Sequence, residues 1–146
     1  MKPFTLGAVL KYRQQLEDNA RQQLYQAMEA EARMQEQLFQ TEHDLAELYA
    51  SQQRDHETGT TADRLILFEH RIGVVREMLA QQQAALEKQR AQVEKKRQVL
   101  VKTSKDRKIM EKLREQQNAA YKKYLEKKET GLLDEIAVLS HERKHN

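Results

Sequence analysis

The residues best equipped for chemistry stand near the C-terminal end. His141-Glu142-Arg143-Lys144-His145 spells H-E-x-x-H. On a helix this pattern sets two imidazoles on one face with a carboxylate beside them, as zinc proteases require. A catalytic zinc also needs a third ligand, an enclosed site and a substrate cleft. A polar stretch at a chain end offers none of these. The match is therefore read as chance, and neither a metal site nor a cofactor is expected. His43, His56 and His70 are scattered over polar positions. No serine or threonine stands in a nucleophile elbow, and no glycine-rich loop is present to cradle phosphate. With no cysteine in the chain, a disulfide framework and a thiolate metal site are both excluded. An enzyme is not expected.

The second chemical feature is charge. Lys88, Arg90, Lys95, Lys96, Arg97, Lys102, Lys105, Arg107, Lys108 and Lys112 form a basic run, and residues 88–128 carry a net +10. Residues 4–57 carry a net −5. Segments of opposite sign attract when folded side by side. The surplus positive charge beyond that pairing calls for an acidic partner or nucleic acid. The basic run has no interleaved aromatics and no recognition motif, so no nucleic-acid partner is expected, and the run reads as a solvated face partly matched by the acidic segment.

The elements that carry these residues must be helices. The chain has 146 residues, of which 34% are charged, with one proline and four glycines. Gln, Glu, Lys, Arg, Ala and Leu dominate, a set of helix formers with enough apolar content for a narrow seam rather than a broad core. Helix 1 is expected over about 5–57, with Thr5 as cap and Phe4 packing on Val9 as a hydrophobic staple. Its seam reads Leu6, Val9, Arg13, Leu16, Ala20, Leu24, Ala27, Glu31, Met34, Leu38, Thr41, Leu45, Leu48. The alternating steps of three and four mark a left-handed coiled coil, with one stutter at Leu16–Ala20–Leu24.

A polar stretch ending in Gly59-Thr60-Thr61 supplies the turn, at about 58–60. Gly59 suits the left-handed conformation that ends a helix. Thr60 and Asp63 resemble a capping box for helix 2. Helix 2 is expected over about 61–129, with a tail over 130–146 that begins at a potential break, Thr130-Gly131. Its seam reads Leu65, Phe68, Ile72, Val75, Leu79, Gln82, Leu86, Gln89, Val93, Lys96, Leu100, Thr103, Arg107, Met110. Half of these late positions are polar, so the seam is weak and bendable. A reversal at Gly59 sets opposite each other residues whose numbers add to about 118. Residues 113–146 then outrun helix 1, carrying Tyr121, Tyr124, Leu125, Leu132, Leu133, Ile136 and Leu139. A helix with apolar residues and no internal partner calls for an external one. The expected fold is all-α: a single coiled-coil domain over 1–146, built as an antiparallel two-helix hairpin with a C-terminal helical overhang. No apolar run is long enough for a signal peptide or a membrane span, so membrane association is expected only through partners.

Particular residues also carry a resemblance. The opening Phe4, Leu6, Val9, Leu10, Arg13 and Glu17 resembles the start of the FliJ family of flagellar export proteins. Asp106-Arg107-Lys108, Met110-Glu111-Lys112-Leu113, Tyr121 and Leu133-Asp134-Glu135-Ile136-Ala137 resemble its C-terminal part. The resemblance covers essentially the whole chain.

It implies a cytoplasmic stalk, similar to the gamma subunit of rotary ATPases, at the cytoplasmic face of the inner membrane. It implies three partners: a hexameric export ATPase, the cytoplasmic domain of a membrane export gate, and export chaperones. Carried over by position, the ring-binding residues are Phe4, Leu6, Val9, Arg13, Lys112, Leu113, Tyr121, Leu133, Asp134 and Glu135. The gate-binding residues are Phe68 and Ile72, which are equally seam positions of the coil. Two other readings of the chain are a structural coiled-coil oligomer and a basic nucleic-acid binder. Virulence-type secretion uses the same kind of protein.

Overall fold

The computed structural model describes residues 6–144 in full and the backbone of His145. Phe4 and the proposed cap Thr5 lie outside the described residues. Two helices account for nearly everything described: α1, Gly7–Thr58, and α2, Ala62–His145. There is no strand among the described residues. The chain divides into two units. One is Asn19–Leu100, which contains the turn. The other joins the residues of α1 up to Asp18 to those of α2 from Val101 onward.

In the Asn19–Leu100 unit the two helices run antiparallel along the expected seam. Ala20 and Thr41 on α1 are buried, as are Ile72, Leu86 and Val93 on α2. Leu24, Ala27, Glu31, Met34, Leu38, Leu45 and Leu48 are half-buried, as are Phe68, Val75, Leu79, Gln82, Gln89, Lys96 and Leu100. Polar seam residues reach across the pair. The Gln89 amide donates to the Ala27 carbonyl at 3.0 Å, and the Lys96 ammonium donates to the Gln23 amide oxygen at 3.1 Å. Arg90 pairs with Glu31 at 3.5 Å. Partner numbers add to about 120, so a reversal at Gly59 predicts the register to within a turn.

The turn is built from Gly59, Thr60 and Thr61. Gly59 has φ 98°, which a side chain would strain. The cap is Thr61, not Thr60. The Arg64 amide donates to the Thr61 hydroxyl at 3.3 Å, and the Leu65 amide donates to the Thr61 carbonyl at 3.0 Å. The Thr60 hydroxyl is engaged elsewhere: it donates to Asp55 Oδ2 at 2.6 Å. Asp55 also pairs with Arg64 at 2.7 Å. That pull on Thr60 moves the capping role one residue on.

The second unit corrects the reading of helix 1 at its start. Leu10 and Glu17 are buried, Glu17 at 5% exposure, whereas Leu6, Val9 and Leu16 are exposed. The seam of α1 is therefore Leu10, Arg13, Glu17, Ala20, Leu24, and on to Leu48, with three and four alternating throughout. The stutter does not exist. Leu16 was the more apolar neighbour, but Glu17 has Arg107 to receive it. In α2, Thr130-Gly131 does not interrupt the helix, which continues to His145. The tail over 130–146 is thus helical as far as it is described.

Candidate docking surfaces

The unit containing the N-terminal turns of α1 gathers most of the expected ring-binding residues. Its centre is an ionic knot. Arg107 Nε donates to Glu17 Oε2 at 2.6 Å, and Arg107 Nη1 donates to Glu111 Oε2 at 2.8 Å. Arg13 Nη1 donates to the Asp106 carbonyl at 3.0 Å. The hydrogen bonds that Arg107 donates to Glu17, and then to Glu111, raise its guanidinium above its ordinary pKa. Leu10 and Met110 are buried alongside. Charge-assisted pairs of this geometry hold the two helices in one register.

Beyond Met110, α2 continues as an exposed helix. Lys112 and Leu113 are exposed, and Tyr121 is half-buried with its ring stacked on Tyr124 at a centroid distance of 6.3 Å. Leu125, Leu132, Leu133, Ile136, Val138 and Leu139 are all exposed, and so are Asp134 and Glu135. Helical spacing places Tyr121, Leu125, Leu132, Ile136 and Leu139 on one face, with steps of four, seven, four and three. Leu133, Asp134 and Glu135 flank that face or oppose it. The expected ring-binding residues thus include Tyr121 from this face and its flanking Leu133, Asp134 and Glu135. The signal for the stripe itself was the spacing, legible once the helix is continuous through Gly131.

The expected gate-binding pair sits in the other unit. Ile72 is 7% exposed and packs in the seam, so only Phe68, half-buried, has surface to offer. Phe68 joins Arg64, Leu67 and Arg71 in lining a shallow depression beside the turn.

His141 and Glu142 lie on the exposed end of α2. Among the described residues, no group of three or more His, Cys, Asp or Glu side chains is placed to hold a metal ion. The side chain of His145 lies outside the description. No helix among the described residues is long and apolar enough to cross a membrane.

Against known proteins, the family model of the flagellar FliJ protein matches residues 1–146. A sequence search of curated proteins finds no match. Among solved structures, a putative YscO homolog, CT670 from Chlamydia trachomatis, is similar at 19% identity. That similarity covers 97% of this chain and 96% of that chain, with a TM-score of 0.47.

Proposed function

The chain belongs to the FliJ family of flagellar proteins, and from that premise we propose that it is a non-catalytic stalk and adaptor of the flagellar type III export apparatus. The observation that carries the reading is the exposed apolar face of α2 beyond Met110, in the unit where the N-terminal turns of α1 also lie. Such a face needs a protein partner. The partner is the hexameric export ATPase, engaged through the face that carries Tyr121, Leu132 and Ile136, together with Leu6, Val9, Lys112, Leu113 and the Leu133-Asp134-Glu135 segment. Phe4 belongs to the same end by sequence. Arg13 acts indirectly, by holding the Asp106 carbonyl and so fixing the helices' register.

The other unit presents Phe68, beside Leu67, to the export gate, and export chaperones are handled on the same molecule. The protein works in the cytoplasm, at the inner membrane only through these partners. It hydrolyses nothing. Its binding biases the conformations of the ring, and it relays nucleotide turnover to the gate.

The test is ATP turnover and hexamer formation by the cognate ATPase, with the full-length chain added. Wild type should raise both. Leu132→Asp with Ile136→Asp should abolish the effect while leaving the helical content unchanged. Phe68→Ala should keep the ATPase effect and reduce export in cells. Full stimulation by the double variant would place the ring contact elsewhere. No stimulation and no co-elution with the wild type would defeat the stalk reading.

A further inference from the structure

Helix α1 carries a second stripe that the hairpin does not use. Tyr25, Met28, Ala32, Gln35, Phe39, Glu42, Ala46 and Tyr49 follow one another at steps of three, four, three, four, three, four and three. That is the rhythm of a coiled-coil seam, yet none of these residues belongs to the seam with α2. All eight are exposed, Tyr25 and Phe39 at 64% and 65%. They lie in one unit, on one uninterrupted helix, and run ~36 Å along it.

Single exposed apolar residues are ordinary. Seven consecutive steps in register are not, and the polar members do not spoil the pattern. The occupied seam of this same unit includes Glu31, Thr41, Gln82, Gln89 and Lys96. A stripe interrupted only by Gln35 and Glu42 is no more polar than the one already in use.

The charges around the stripe select its occupant. Residues 25–49 hold one arginine against six carboxylates. Helical geometry puts Glu29 and Glu36 along the outer edge of the stripe, and Glu42 within it. All three are exposed. A second copy meeting this stripe with its own would oppose like charges, which is unfavourable. We propose that this face of α1 docks an amphipathic α-helix of another protein. That helix is apolar at three-four spacing and carries lysines or arginines along the edge that meets Glu29 and Glu36. It completes a three-helix coil over residues 25–49. The proposal stands apart from the ring and gate contacts, because it uses none of their residues.

The experiment uses the full chain and two designed helical peptides of about 25 residues. Both carry leucine at the seam positions, one with lysines along the edge and one with glutamates there. Binding is followed by fluorescence anisotropy, with light scattering on the protein alone. The lysine-edged peptide should bind at least tenfold more tightly than the glutamate-edged one. Phe39→Ser and Met28→Ser should each weaken it several-fold at unchanged helical content, and Val74→Ser on α2 should leave it unchanged. Equal binding of both peptides would reduce the stripe to unspecific apolar contact and overturn the proposal. So would insensitivity to Phe39→Ser and Met28→Ser, or no binding at all. A dimer that Phe39→Ser dissociates would make a second copy the occupant, which also overturns it.

Discussion

At the scale of single residues, what matters is how polar groups survive inside a narrow seam. Glu17 does so by accepting from Arg107, and Thr41 by donating its hydroxyl to the Gln37 carbonyl at 3.0 Å. Arg107's pKa is raised, so its charge contributes fully below its unfolded value and is lost only as pH climbs through the folded one. That window lies above any working pH, so the guanidinium end of the pair adds no pH dependence there. Gln82 is the contrast: its Oε1 is buried with no hydrogen-bond partner among the described residues. An unmet acceptor costs about 1–3 kcal/mol. Gln82→Leu should therefore stabilise the protein by ~1 kcal/mol, read as a higher urea midpoint with an unchanged slope. An unchanged or lower midpoint would show that the amide is satisfied.

At the scale of elements, the lesson is α2's continuity. A glycine inside a helix costs about 1 kcal/mol relative to alanine. That is too little to end a helix of 84 residues in which Thr130-Gly131 is flanked by the good helix formers Lys127, Lys128, Glu129, Leu132 and Leu133. A Cβ at Gly131 would meet nothing within 4 Å. Gly131→Ala should stabilise the overhang by ~1 kcal/mol, seen as slower amide exchange over residues 125–138 with little change in exchange around Leu86. Faster exchange there would mean that Gly131 serves a bend. Most of the α2 seam, from Phe68 to Met110, was legible because its rhythm is local to the sequence. Leu65, which stays exposed beside the turn, is the exception. The start of α1 was not legible, because choosing Glu17 over Leu16 requires knowing about Arg107, 90 positions away. The cap at Thr61 was hidden for a similar reason: Thr60 and Thr61 are equal candidates until Asp55 takes one. For the candidate sites, the apolar overhang was visible in the sequence. The face it presents depended on the unbroken helix, and the burial of Ile72 depended on the packed seam.

At the scale of the whole molecule, charge separates the forces that fold the chain from those that assemble it. The chain is acidic early and basic late, yet two of the ion pairs that join the helices, Arg64–Asp55 and Arg90–Glu31, leave the arginine largely in solvent. Arg90–Glu31 keeps about half of the arginine in water. Such pairs contribute about 0–1 kcal/mol each. Docking of a basic surface onto an acidic partner is more sensitive, because its field is long-ranged and screened within about 8–10 Å at physiological salt. Raising sodium chloride from about 0.05 to 0.5 M should thus shift the melting temperature by only a few degrees while weakening ATPase association severalfold. A large fall in melting temperature would assign the charge to folding instead.

None of the described side chains is fully buried. A protein with a deep core inherits particular residues, because each is wedged among many neighbours and volume changes are felt. Here each seam position has few neighbours, so one residue can replace another provided that the three-four rhythm persists. Over generations, such a chain can exchange most of its letters while its folding instructions stay intact. Its ancestry is better traced by the beat of the pattern than by the identity of its notes.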